Sequence, residues 1–106
     1  MDFILVGISY RSASLDLLGR VAVTSSALPS VLRELSHYVG ECVVLSTCNR
    51  TELYASVENA EAGTAQLIEF MEHLVVRKDS GRAGLDLPVY RLSGENVVSH
   101  LMGVVA

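Results

Sequence analysis

Two strand-like stretches, CVVLST at 42–47 and TELYASV at 51–57, are separated by only three residues. A link that short cannot carry a crossover, so the two must pair antiparallel as a hairpin with Cys48, Asn49 and Arg50 at its bend. FILVGIS (3–9) is a continuous run of β-formers, the pattern of a buried strand. LDLLGRVAV (15–23) has helical spacing, weakened at Gly19 by about 1 kcal/mol relative to alanine. A clearer helix lies within 24–40: Ser26 can cap it, Pro29 sits in the tolerated first turn, and Gly40 stops it. Leu28, Val31, Leu32, Leu35 and Val39 form its apolar stripe.

The second half repeats the alternation. EAGTAQLIEFMEHLVVR (61–77) is amphipathic, with Leu67, Ile68, Met71, Leu74 and Val75 on the inner face. KDSGRAG (78–84) is a loop by composition, and LPVYRL (87–92) is a short strand whose Pro88 suits an edge or a strand start. Ser93 is placed to cap a last helix over 94–106. The order β-α-β-β-α-β-α interleaves two crossovers around the central hairpin. It predicts an α+β, ferredoxin-like split β-α-β fold: one antiparallel sheet with helices packed on one face. At 106 residues, residues 1–106 make one domain, half of it apolar. The sequence ends inside a helical pattern with no glycine stop, as expected of a piece of a longer protein.

No apolar run reaches the ~18–20 residues that span a bilayer, and MDFILVGISY lacks a basic leader, so no membrane association is expected. The net charge of −4 argues against a surface that grips nucleic acid mainly by neutralising phosphate. Any such contact must be local. Arg77, Lys78 and Arg82 fall together in one stretch that reads as solvated loop. If Cys42 and Cys48 share one extended strand, six steps of ~3.3 Å place them roughly 20 Å apart. That is beyond the ~7 Å Cα limit of a disulfide, so both thiols are expected free, as in the cytoplasm.

Cys42, within a strand, reads as a small packed hydrophobe. Cys48 stands at a strand's end among Ser46, Thr47, Asn49 and Arg50, all hydrogen-bond donors. A guanidinium there favours a thiolate and can hold a substrate carboxylate in a two-pronged contact. A nucleophilic cysteine needs a base or an orienting imidazole. His37 and His73 lie on the polar sides of their helices. His100 falls at the edge of a stripe formed by Val97, Val98, Leu101, Met102, Val104 and Val105, where an imidazole can point across a cleft. The cysteines and histidines lack zinc-site spacing, and no glycine-rich phosphate loop occurs. Glu34, Glu41, Glu52 and Asp16 show no spacing of a carboxylate pair, and Tyr38, Tyr54 and Tyr90 read as core or sheet residues. On these residues alone two readings stand: a cysteine enzyme, or a non-catalytic ferredoxin-like ligand-binding or assembly module.

The stretch VVLSTCNRTELYASVE (43–58), followed further on by VVSHLM (97–102), resembles the N-terminal catalytic domain of the glutamyl-tRNA reductase family. LVGISYRSASLDLLGRVAV (5–23) is similar to that family's opening in spacing and type. The resemblance implies that Cys48 attacks the ester joining glutamate to its transfer RNA. It puts Thr47, Asn49 and Arg50 on the glutamate-binding stretch and His100 on an assisting histidine. The resulting thioester is reduced by NADPH to glutamate-1-semialdehyde, the entry to tetrapyrrole (porphyrin) synthesis. The same resemblance places NADPH binding and homodimerisation in domains of the full-length enzyme, with no cofactor held by this part. The family's usual N-H-K-T-A-P opening is Ser9-Tyr10-Arg11-Ser12-Ala13-Ser14 here, its arginine-glutamate pair is Leu18-Gly19, and Gly103 and Val105 replace a typical arginine and alanine.

Overall fold

The computed structural model describes residues 2–78 and 87–105. Four strands, β1 (Asp2–Ser9), β2 (Glu41–Ser46), β3 (Arg50–Val57) and β4 (Tyr90–Ser93), form one sheet in the order β2-β3-β1-β4. Every neighbouring pair is antiparallel. The connection from β1 to β2 leaves a gap that β3 fills, which is the split β-α-β arrangement expected from the hairpin. Helices α1 (Leu15–Val21), α2 (Leu28–Leu35), α3 (Ala60–Lys78) and α4 (Glu95–Val105) complete the fold.

Alternation along the central strands sorts the interior into two faces. Ile4, Val6 and Ile8 of β1, with Leu53 and Ala55 of β3, point toward α1, α2 and α3 and make the main core with Leu35, Leu67, Phe70 and Met71. Leu5 and Tyr54 point the other way and meet Val97 of α4. The one-face packing therefore describes α1 to α3, and α4 extends the architecture by lying against the opposite face.

Local signals explain most element ends. The Ser14 hydroxyl caps α1 by accepting from the Leu17 N–H at 3.2 Å, and Asp16 pairs with Arg20 one turn on at 2.9 Å. Three sequence expectations need correction. Ser26 does not cap α2. Thr24 closes that entry, its hydroxyl accepting from the Ala27 N–H at 3.2 Å. The helix ends at Leu35 rather than near Gly40, because His37 and Tyr38 donate to carbonyls three residues back and tighten the chain into turns. Ser93 does not cap α4; it pairs with Ile4 inside β4, and the bend falls on Gly94 at φ +64°, a conformation that favours glycine. Lys78 and Arg77 belong to the end of α3, and the remainder of the expected loop lies outside the described residues.

The apolar stripe of α4 also differs from expectation. Val97 is buried, but Val98 and Met102 are more than half exposed and Leu101 is 38% exposed. Val97 packs against the sheet and His100 reaches it one turn on, while the apolar side chains at 98, 101 and 102 stay largely uncovered; the side chains of Val104 and Val105 lie outside the described residues. A groove of about 480 Å³ opens between Val98 and Leu101 on one side and Phe3, Val43 and Leu45 on the other.

Phe70 is fully buried and meets the Tyr38 ring edge-on at 5.2 Å. Phe70→Ala is expected to lower the unfolding free energy by about 3–5 kcal/mol, read from urea denaturation at unchanged slope.

Candidate active site

The polar centre of the α4 face is built by register. One row across the sheet reads Tyr90 on β4, Gly7 on β1, Glu52 on β3 and Leu45 on β2. Gly7 carries no side chain, so the Tyr90 ring lies over it. A Cβ on Gly7 would meet the ring and its hydroxyl at 2.6–2.7 Å. The Tyr90 hydroxyl thereby reaches Glu52 Oε2 at 2.6 Å. Tyr54, two residues along β3 and on the same face, donates to Glu52 Oε1 at 2.8 Å. From α4, His100 Nε2 lies 2.5 Å from Glu52 Oε2, and the Arg50 guanidinium stands 3.8 Å from the same oxygen.

Glu52 is fully buried. Burial is the largest influence on its carboxyl and opposes ionisation, but the hydrogen bonds from Tyr90, Tyr54 and His100 together outweigh it. The carboxyl is held below its usual range. An ionised carboxylate only accepts hydrogen bonds, so Nε2 of His100 must carry the proton it shares with Glu52. Nδ1 is then the nitrogen left to take or return a proton. Burial, followed by the bond to Glu52, pushes the Tyr54 and Tyr90 hydroxyls well above the usual phenol range.

Above this network lies a basin of about 560 Å³ lined by Ser9, Arg11, Arg50, Tyr90, Leu92, His100 and Gly103. Among the described residues it has two arginines and a histidine on its walls and no lining carboxylate, which suits an anionic or carboxylate-bearing ligand. Arg50 is the first residue of β3 and pairs with Ser9, the last of β1, so both stand at the sheet end where the hairpin turns.

The sequence-predicted residues separate into two groups. Arg50 and His100 share the basin, and both face Glu52. Thr47, Cys48 and Asn49 form the hairpin tip beside it and do not line it. The Thr47 N–H donates to the Arg50 carbonyl at 2.8 Å, and its hydroxyl accepts from the Asn49 N–H at 3.2 Å. Cys48 is exposed and free, whereas Cys42 is partly buried and its thiol is pushed up by desolvation. The imidazole of His100 is bonded to Glu52, not to Cys48. Sequence reasoning missed Glu52, Tyr90 and Gly7. The available signal was a glutamate in the middle of a strand, next to Leu53 and on the same alternating face as Arg50 and Tyr54. Among the described residues no group of three or more histidine, cysteine or acidic side chains is arranged to hold a metal ion.

Two measurements probe the network. A group with a depressed folded-state pKa stabilises the fold above its unfolded pKa and loses that contribution as pH falls through the folded value. Glu52→Gln should therefore lower stability at pH 7 by about 1–3 kcal/mol, the cost of mismatched buried partners. The gap to the parent protein should narrow as pH drops below the usual carboxylate range, read from urea midpoints at several pH values. Gly7→Ala should cost about 1–3 kcal/mol by overpacking against Tyr90. A double-mutant cycle should show much of that loss relieved when Tyr90→Ala is also present.

The family model described as "Glutamyl-tRNAGlu reductase, N-terminal domain" matches residues 6–106. The chain is similar to the glutamyl-tRNA reductase of Frankia alni, 35% identical over 99% of this chain and 22% of that protein. It is 36% identical to that of Pseudoalteromonas atlantica over 98% of the chain, and 32% identical to that of Trichlorobacter lovleyi over all of it, in each case 24% of the relative. It thus spans about a quarter of the length of these curated relatives. With an exposed cysteine, an arginine and a histidine at one end of the sheet, and a family match over nearly its whole length, the chain belongs to the glutamyl-tRNA reductase N-terminal domain family.

Proposed function

We propose that residues 1–106 act as the glutamate-accepting unit of a glutamyl-tRNA reductase. The observation that carries this reading is the position of an exposed thiol on a hairpin tip, beside a basin walled by Arg50, Arg11 and His100. In this reading the Cys48 sulfur, as thiolate, attacks the carbonyl carbon of the ester joining glutamate to the terminal ribose. A carbon–sulfur bond forms, the carbon–oxygen bond to the ribose breaks, and the ribose oxygen takes a proton and leaves with the RNA. Arg50 holds the side-chain carboxylate of the glutamyl group, and Thr47 and Asn49 shape its seat at the tip. His100, its Nε2 committed to Glu52, uses Nδ1 to move the proton, directly or through water.

In the family, NADPH supplies the hydride that reduces the thioester to glutamate-1-semialdehyde for porphyrin synthesis. The sequence has no glycine-rich strand-to-helix turn to cradle a dinucleotide, so these residues do not fit that cofactor and no reducing step is assigned to them. Cofactor binding and homodimerisation belong, on this proposal, to other parts of a longer enzyme, acting on charged transfer RNA in the cytoplasm. No helix among the described residues is long and apolar enough to cross a membrane.

A second reading, the non-catalytic binding or assembly module, is favoured by one observation: the apolar groove beside α4, with Phe3 and Val43 exposed. Alkylation rates alone do not separate the two readings, since exposure already makes Cys48 the faster thiol. The discriminating measurement is intact mass after mixing with glutamyl-tRNA. A glutamyl adduct is expected on the parent protein and on Cys42→Ala, and should vanish in Cys48→Ala. An adduct that persists in Cys48→Ala would falsify the nucleophile.

A further inference from the structure

The loop after β1 presents two large side chains beside the hairpin tip. The Tyr10 N–H donates to the Asn49 carbonyl at 2.9 Å, placing Tyr10 about one strand spacing, ~5 Å, from the residue that follows Cys48. The main chain of this loop is held at several points. The Ser9 carbonyl accepts from the Ser12 and Ala13 N–H groups at 3.2 and 3.1 Å, and the Ser12 hydroxyl donates to the Pro88 carbonyl at 3.3 Å. On this held turn Tyr10 is 52% exposed, and the guanidinium of the exposed Arg11 stands over its ring, 6.0 Å from the centre. Arg11 also forms a wall of the basin that contains Arg50 and His100.

An exposed tyrosine with a guanidinium over its ring, on a held loop, is the equipment for stacking a base on the ring and meeting its phosphate. It also resolves the charge problem. A chain of net charge −4 cannot attract RNA over its whole surface, but it gathers Arg11 and Arg50 at the end where the acyl group must arrive. The substrate's geometry adds a constraint, because an ester at Cys48 carries its ribose and base with it, and the Tyr10–Arg11 turn stands next to the tip.

We propose that Tyr10 and Arg11 form the seat of the 3′-terminal nucleotide of the charged RNA, the base stacking on the Tyr10 ring and the phosphate meeting Arg11. This deepens the acyl-transfer reading and rests on it for the position of the ester.

Two measurements on the whole chain test the proposal independently. In the first, the trinucleotide CCA is titrated in and followed by NMR. Resonances of the Tyr10 ring and Arg11 side chain should shift. Tyr10→Phe should bind as well as the parent, whereas Tyr10→Ala should weaken binding roughly tenfold or more, the typical loss for one stacked base. Arg11→Gln should flatten the salt dependence by about 0.7 in the slope of log affinity against log salt, the value for one single-strand phosphate contact. In the second, glutamyl transfer onto Cys48 is compared between the 5′-monophosphate of 3′-glutamyl-adenosine and the ethyl thioester of glutamate, whose leaving group has neither base nor phosphate. The rate ratio of the nucleotide donor to the thioester should fall roughly tenfold or more in Tyr10→Ala, by the same stacking loss, and be restored in Tyr10→Phe. A trinucleotide that moves no resonance at 10–12, or a ratio indifferent to Tyr10, overturns the proposal. Transfer from neither donor, with trinucleotide binding intact, overturns the acyl-transfer reading and supports the nucleotide seat on its own.

Discussion

A carboxylate sealed beneath a sheet's polar end must be compensated or it will not stay charged, and Glu52 is compensated from three elements at once. Tyr54 comes from its own strand, Tyr90 from the edge strand across Gly7, and His100 from the helix on the α4 face. Each donor is there for a separate local reason: strand alternation, cross-strand register over a missing side chain, and helical phase. Their convergence on one pair of oxygens locks β1, β3, β4 and α4 into a single arrangement. No buried side-chain nitrogen or oxygen among the described residues is left without a partner. The network is therefore fully satisfied, which is the condition under which a buried polar cluster rigidifies a fold rather than weakening it.

The fold was largely legible because its signals are local. Three residues between two strands force a hairpin, and the amphipathic stripe at Leu67, Met71, Leu74 and Val75 forces α3 onto the sheet; all four residues are buried. The errors fell at element ends and on α4. Thr24 displaced Ser26 because the cap was decided by a turn closing one step earlier, and Gly94 displaced Ser93 because β4 continued one residue further in register with β1. The stripe of α4 was misread because periodicity gives the direction of an apolar face but not the surface available to cover it. Among the described side chains of that stripe, Val97 is the one buried against the sheet.

The candidate site was legible in part for the same reason. Cys48 and Arg50 stand close in sequence, so their shared position at a strand end could be argued from the hairpin alone. His100 could be placed at the rim of a helix face, but its partner could not be named. The register that brings β3 and β4 to either side of Gly7 is a long-range property, and no spacing in the chain announces that Tyr90 and Glu52 meet. Glutamate in strand TELYASV was a visible anomaly whose meaning depended on what lay across the sheet.

The attachment of α4 is narrow. Among the described residues it consists mainly of one buried valine and of His100, which bonds Glu52 and meets the Tyr90 ring, made just after the positive-φ Gly94. The basin has one wall on β3, at Arg50, and another on this helix, at His100 and Gly103. A molecule gripping both walls fastens the helix as it is itself held, so occupancy and helix seating draw on the same free energy and each strengthens the other.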